Sequence, residues 1–392
     1  MNKLYINKEI ISSIFVVSMI IILFTQLRIF NLPIGFGEFG LLLLGLIIFL
    51  QLLIEKKNIF FQFKHLFIVF WVIIFITLIL SYLWVNIMNI HSTNTNVIHD
   101  IMAYGFVMYC ILLFILLDKH YNLDFGILVE RISYYSLLFY GILLGVTYCF
   151  GDVLGITLKY ENIARYVGLS SNANQLALVF TIIPFLILFY NKEYKTNLYD
   201  NININLLLFI LSIFIIYWIS SRGLILALVI MFILVGIFYL YQKYNKIILW
   251  LYIALLSLII LNYDLIIHML FIKGIGSFEH RIELWTNAIE LFQLSPLIGF
   301  GPGAHVSTVV NLSHYWEVHN TFLDLLLQVG IIGLSLYIFL LYKIGKNLFV
   351  YGNILLFAAF CVLILFSSVH FVLRHPIFWL YLFYFYQVGK HK

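Results

Sequence analysis

Apolar residues fill the chain in blocks of about twenty, each separated from the next by a short polar connector. A block of that length is what an α-helix needs to cross about 30 Å of hydrocarbon, and a helix pairs its own backbone groups where no water can. With a window of about 20 residues the pattern predicts twelve spanning helices, at 10–27, 36–54, 65–85, 100–117, 132–150, 172–190, 204–220, 223–241, 247–263, 321–342, 352–369 and 375–388. Those at 204–220 and 375–388 rest on shorter apolar runs. Pro184 falls inside the sixth block, where it reads as a tolerated kink. Lys3 and Lys8 before the run Ile10–Phe24 resemble a signal sequence, but no small-residue cleavage site follows, so the segment reads as an uncleaved first helix. The expected fold is an all-α, polytopic integral membrane protein with residues 1–392 as one membrane domain. There is no internal repeat and no low-complexity tail.

Composition supports this. Lys+Arg number 22 and Asp+Glu 17, only 10% of the 392 residues, while hydrophobic residues reach 64%. Soluble domains carry about 25% charged and roughly 45–50% apolar residues, and a soluble chain of this size would lack the polar residues to cover its surface. A cytosolic enzyme and a secreted disulfide scaffold are therefore excluded. The net charge of +5 is scattered and forms no basic patch, so no nucleic-acid partner is expected. Cys110, Cys149 and Cys361 sit in apolar runs without CxxC spacing and read as packing residues.

Basic residues orient the bundle. With both termini cytoplasmic, fifteen of the 22 Lys and Arg lie inside. By residue type the split is sharper: fourteen of sixteen lysines fall inside and five of six arginines outside. Arginine on the disfavoured face suggests a task, and its planar fork suits bidentate phosphate recognition. Anchoring at lipid headgroups is the competing explanation, most readily for Arg28.

Most outer loops are short. The exception is 264–319, a large periplasmic loop between the ninth and tenth spans. Within it EHRIELWTNAIELF places Ile282, Trp285, Ile289 and Phe292 at helical spacing, with Glu279, Glu283, Asn287 and Glu290 opposite, which predicts an amphipathic helix in the membrane interface. Arg281 flanks the apolar stripe at headgroup depth. Pro296 ends that helix, and Gly299, Gly301 and Gly303 with Pro302 form a compact turn, either a structural turn or a phosphate cradle of backbone N–H groups. His319-Asn320 follow, then nine residues, then Gly330 and Gly333.

Together R-x3-W at Arg281, SPLIGFGPG and HN-x9-G-x2-G resemble the shared core of the O-antigen ligase and O-antigen polymerase (Wzy-type) superfamily. Upstream, the segment from Arg165 through Ser170-Ser171-Asn172-Ala173-Asn174 and the triplet Ser221-Arg222-Gly223 resemble the same superfamily, so the likeness extends from about Tyr160 to His375. It implies a glycosyltransferase of the bacterial cytoplasmic (inner) membrane that draws on an undecaprenyl-diphosphate-linked oligosaccharide at the periplasmic face, with no cofactor and no metal. Arg222 and Arg281 would hold the donor diphosphate, and His319 would act at the acceptor hydroxyl. The chemistry agrees: no nucleotide sugar is available outside that membrane, arginines can offset charge on a departing diphosphate, and a neutral histidine can take a hydroxyl proton. The same pathway's chain-length regulator and flippase are the protein partners the resemblance brings.

Other outer residues keep two readings. Arg165 contacts diphosphate or acceptor sugar, or neither. Asn320, Arg374, His305, Tyr315, Trp316 and Glu317 line a sugar or acceptor groove, or are ordinary loop residues; His314 is similar. Asn172 and Asn174 begin a helix, where capping accounts for them. For the whole chain, the aromatic-rich, loop-poor character and the SSNAN segment favour an O-antigen polymerase joining lipid-linked repeat units. The alternative is an O-antigen ligase transferring the glycan to lipid A core. A lipid-linked oligosaccharide transporter would need ionisable residues deep in the spans, which these lack, and a non-enzymatic scaffold would need none of the Arg, Gly and His arrangement.

Overall fold

The computed structural model describes residues 7–28, 34–56, 65–87, 97–151, 158–160, 165–193, 202–243, 275–304 and 317–390. They form helices α1 (Lys8–Ile21), α2 (Phe36–Ile54), α3 (Leu66–Ile87), α4 (Val97–Tyr121), α5 (Phe125–Phe150), α6 (Ala173–Phe180), α7 (Ile183–Glu193), α8 (Ile202–Ile219), α9 (Arg222–Lys243), α10 (Ile275–Phe292), α11 (Thr321–Tyr351), α12 (Ile354–Ser367) and α13 (Pro376–Lys390). A two-residue antiparallel hairpin, β1 (Lys159–Tyr160) with β2 (Arg165–Tyr166), lies between α5 and α6. The protein is an all-α, multi-pass membrane protein: among the described residues α2, α3, α4, α5, α9 and α11 are long and apolar enough to cross a bilayer. The expected ninth span, 247–263, lies outside the described residues.

Every other apolar block becomes helix, with three instructive differences. The sixth block is two helices, because Pro184 has no N–H to give the Phe180 carbonyl and its ring crowds that oxygen. The chain stops at Phe180 and restarts at Ile183, and the Thr181 hydroxyl donates to the Leu178 carbonyl at 2.7 Å. The tenth block continues nine residues past its expected end to Tyr351, where Gly352 closes it in the left-handed conformation at φ 83°. The amphipathic helix forms, and beside the expected stripe it carries a second one that packs on the protein, with Trp285 and Phe292 at its margin. Leu284, Ala288 and Leu291 pack against Val85, Phe300, Val318 and Leu327, while Ile282 and Ile289 are exposed. The helix carries two apolar stripes, and the one facing α11 and the end of α3 is covered.

The last helix is the axis of the bundle. Ile377 to Phe385 are each 2% exposed or less, as expected of a helix apolar all round, and α13 packs on α4, α5, α6, α11 and α12. Trp379 meets Trp71 of α3 at 4.9 Å, and Phe383 meets Phe125 of α5 at 4.7 Å. Pro376 takes the first helical position, where its missing N–H costs nothing. The outer surface stays apolar: Ile210, Phe214 and Tyr217 of α8 and Leu226 of α9 are all more than half exposed, as lipid-facing side chains are.

One backbone feature orders the end of the bundle where α9, α11 and α13 begin. Inside α11 Gly330 leaves helical geometry, at φ 62°, ψ −163°, a region essentially reserved for glycine. The glycine turn inserts there. Phe300 N–H donates to the Leu327 carbonyl at 2.7 Å and Gly301 N–H to that of Gln328 at 2.9 Å. In return Ile331 N–H donates to Pro296 at 2.9 Å and Ile332 N–H to Leu297 at 3.3 Å. Backbone thus meets backbone, and α11 bends without leaving these groups unpaired.

Candidate functional site

Five basic residues distant in sequence converge at that end. The connection from α8 to α9 is tight, with Ser220 at φ 51°, and it makes Arg222 the first residue of α9, at the positive end of the helix dipole. Buried Ser221 donates its hydroxyl to Asn174 Oδ1 at 3.2 Å. Arg165, on the hairpin, donates Nη2 to the same oxygen at 3.0 Å and Nε to the Ile219 carbonyl at 3.2 Å. The SSNAN segment therefore braces the Ser-Arg-Gly turn. Asn172 is the N-cap of α6, accepting from Asn174 N–H at 2.8 Å.

Arg281 arrives on α10. Its Nη1 donates to the Val369 carbonyl at 3.4 Å, and burial, then the charge on Arg222, lower its pKa. Two guanidinium groups held within reach of each other favour an anion between them. Arg165, Arg222, Arg281 and His319 are half-buried, neither sealed in nor fully solvated. His370 sits among them, nearly buried, and is held well below the usual imidazole range by burial and then by Arg281, His319 and Arg165.

His319 has a left-handed backbone, φ 55°, which a non-glycine residue adopts only under constraint. The constraints are visible. Trp285 Nε1–H donates to the Val318 carbonyl at 3.1 Å. Asn320 caps α11, its Oδ1 accepting from Phe322 N–H at 3.0 Å and Leu323 N–H at 3.3 Å. The buried Asp324 carboxylate turns back toward the N–H groups of Val318 and Asn320, though neither oxygen reaches bonding geometry. Thr321, buried, donates to the His370 carbonyl at 2.7 Å and accepts from Val372 N–H at 3.1 Å.

Arg374 and Glu317 belong to a supporting network. Arg374 Nη1 pairs with Asp100 Oδ1 at 2.6 Å and lies 3.3 Å from His99 Nδ1, its Nη2 pairs with Glu317, and its guanidinium covers the Phe371 ring at 4.7 Å. Asp100, fully buried, also accepts Gly303 N–H on Oδ2 at 2.9 Å. One guanidinium thus ties the start of α4 to the residue two before His319. The phosphate-cradle reading of the glycine turn fails here. The N–H groups of Gly299, Phe300, Gly301 and Gly303 are spent on Ser295, Leu327, Gln328 and Asp100. His305, Tyr315 and Trp316 lie outside the described residues.

Residues 207–338, from α8 to the middle of α11, match the family model described as O-antigen ligase. The chain carries an O-antigen ligase family domain. The matched stretch contains the Ser-Arg-Gly, R-x3-W, SPLIGFGPG and HN-x9-G-x2-G motifs, and it is consistent with their resemblance to the O-antigen polymerase and ligase superfamily. A search of curated proteins gives no match. The ligase-family domain spans Arg222, Arg281, Glu317, His319 and Asn320, while Arg165, His370 and Arg374 reach the cluster from outside it. Asp100 and His370 go unsuspected from sequence, and Asn174, read there as a helix-start residue, instead accepts from Ser221 and Arg165. Asp100 carries a signal, as a lone acid opening an apolar block opposite an outer arginine. For His370, in a short connector, there is none.

Proposed function

We propose that the protein is a metal-independent glycosyltransferase of the bacterial cytoplasmic membrane that polymerises undecaprenyl-diphosphate-linked O-antigen repeat units at the periplasmic face. The observation that carries this reading is the convergence of Arg165, Arg222 and Arg281 with His319 at one end of the bundle. Arg222 and Arg281 hold the donor diphosphate and offset the charge that develops as it leaves. His319 takes the proton from the acceptor hydroxyl as that oxygen attacks the anomeric carbon, so direct displacement inverts the anomeric configuration. The basic-residue distribution supports placing this end outside the cytoplasm.

A ligase is the second reading, favoured by the description of the matching family. It uses the same donor and hands the glycan to lipid A core. Deleting the gene in its host and running surface lipopolysaccharide on a gel separates the two. Core plus one repeat unit identifies the polymerase; core alone, with polymer retained on the carrier, identifies the ligase. An unchanged ladder refutes both. Complementation with His319→Ala is expected to restore no polymer although the protein accumulates in membranes.

A further inference from the structure

His370 has no part in the reaction as described, yet it stands in the middle of the residues that carry it out. It lies in the connector between α12 and α13 and is 6% exposed. Its backbone carbonyl is fixed by Thr321, the residue after the His319-Asn320 pair. Its ring packs on Phe366, centroids 4.5 Å apart. The Nε2 edge faces the start of α9: a Cβ on Gly223 would stand 3.3 Å from Nε2 and 2.5 Å from Val369 Cγ2. The glycine of Ser-Arg-Gly is what lets this connector approach Arg222. Arg281, which donates to the adjoining Val369 carbonyl, closes the other side.

Among the described residues neither ring nitrogen of His370 makes a hydrogen bond. Neither nitrogen is among the fully buried side-chain atoms that lack a partner, so both keep some access from the cluster, and an imidazole with open nitrogens among cations is equipped to bond something that enters. Kept neutral there, it offers a donor without adding a further positive charge. We infer that His370 contacts the lipid-linked donor directly, its Nε2–H hydrogen-bonding an oxygen of the diphosphate held by Arg222 and Arg281. This rests on the transferase reading.

The test uses the full-length protein in membranes from the deletion host, supplied with lipid-linked glycan extracted from that host, and measures transfer rate at subsaturating donor. His370→Phe keeps the ring and its contact with Phe366 but has no nitrogen. It is expected to lose about a hundredfold in kcat/KM, as for removal of one donor to a developing oxyanion. His370→Gln, whose amide nitrogen reaches the Nε2 position, is expected to stay within about tenfold of wild type. Arg222→Ala and Arg281→Ala run in parallel. If they keep full activity, the diphosphate reading falls. If they lose activity while His370→Phe stays within about threefold of wild type, His370 is a packing residue and the inference is overturned. Should His370→Phe fail to accumulate, His370→Asn, which reaches only the Nδ1 position, takes its place. Equal activity of the Gln and Asn variants overturns the inference, and an active Gln with an inactive Asn supports it.

Discussion

Replacing Gly330 by alanine should break the clasp between the glycine turn and α11. Its φ 62°, ψ −163° lies in a region that costs a non-glycine residue about 1–3 kcal/mol. A Cβ there would also stand 2.3 Å from the Leu297 carbonyl oxygen, 2.4 Å from its carbon and 2.6 Å from Ile298 N. These are backbone atoms, so no rotamer change relieves the overlap. The turn must retreat, and the four clasp bonds from Phe300, Gly301, Ile331 and Ile332 lengthen. At about 0.5–1.5 kcal/mol each, losing two brings the cost to about 2–6 kcal/mol. Gly145→Ala on α5 is the control. Nothing stands within 4 Å of its Cβ, so the substitution should be neutral or stabilise the helix by about 1 kcal/mol. The assay is apparent melting temperature in detergent, read by the monodisperse fraction surviving a heat step. Gly330→Ala should fall clearly below Gly145→Ala. A Gly330→Ala protein melting within about 2 °C of wild type would refute the reasoning.

Asp100→Asn uncovers one side of the buried Arg374 pair and should cost about 3–5 kcal/mol. Combined with Arg374→Gln the two losses should fall short of their sum by about 0.5–3 kcal/mol, and strict additivity in melting experiments would dissolve the network. Trp285→Phe removes the N–H that holds the Val318 carbonyl, at a stability cost of about 1 kcal/mol. Because Val318 precedes His319, transfer should slow by about ten- to a hundredfold; an unchanged rate would show that this contact does not position the histidine. Arg222→Lys should be nearly as damaging as Arg222→Ala, since lysine lacks the planar fork, and wild-type polymer from the lysine variant would count against bidentate diphosphate binding. Acidification should also destabilise the protein through His370. Its native pKa is depressed, so below about pH 6.5 the unfolded chain takes a proton the native state refuses, and stability falls by up to about 1.4 kcal/mol per pH unit. His370→Gln should flatten that slope, and parallel slopes would exclude His370 from it.

The spanning helices are legible because an unbroken apolar run has one stable form in a bilayer, and Pro376 and Gly352 mark their ends by rules that act within one turn. The candidate site residues are legible for a different reason. Arginine on a face that disfavours basic residues, and histidine at a helix entrance, each stand out against a composition with 10% charged residues. What escapes is support, because it is made of long-range pairs. Asp100 lies 274 positions from Arg374, and nothing near either residue announces the other. The apolar stripes of α10 escape similarly: Leu284, Ala288 and Leu291 are buried over Ile282 and Ile289 only because α11 and α3 lie on that side.

The glycine turn is the clearest case. Read alone, SPLIGFGPG is a structural turn first and an anion cradle second, because glycines that free backbone N–H groups suit either. Which it is depends on where those N–H groups go, and their partners sit on α11 and α4. The nine-residue spacing from Asn320 to Gly330 then acquires a physical meaning. It sets the length of helix between the capped turn carrying His319 and the point where the backbone opens to receive Phe300 and Gly301. A shift of one residue would rotate His319 by about 100° relative to the clasp, carrying it away from Arg222 and Arg281. The turn is therefore a joint, and on the proposed reading the anion falls to Arg222 and Arg281, which the joint keeps in register with His319.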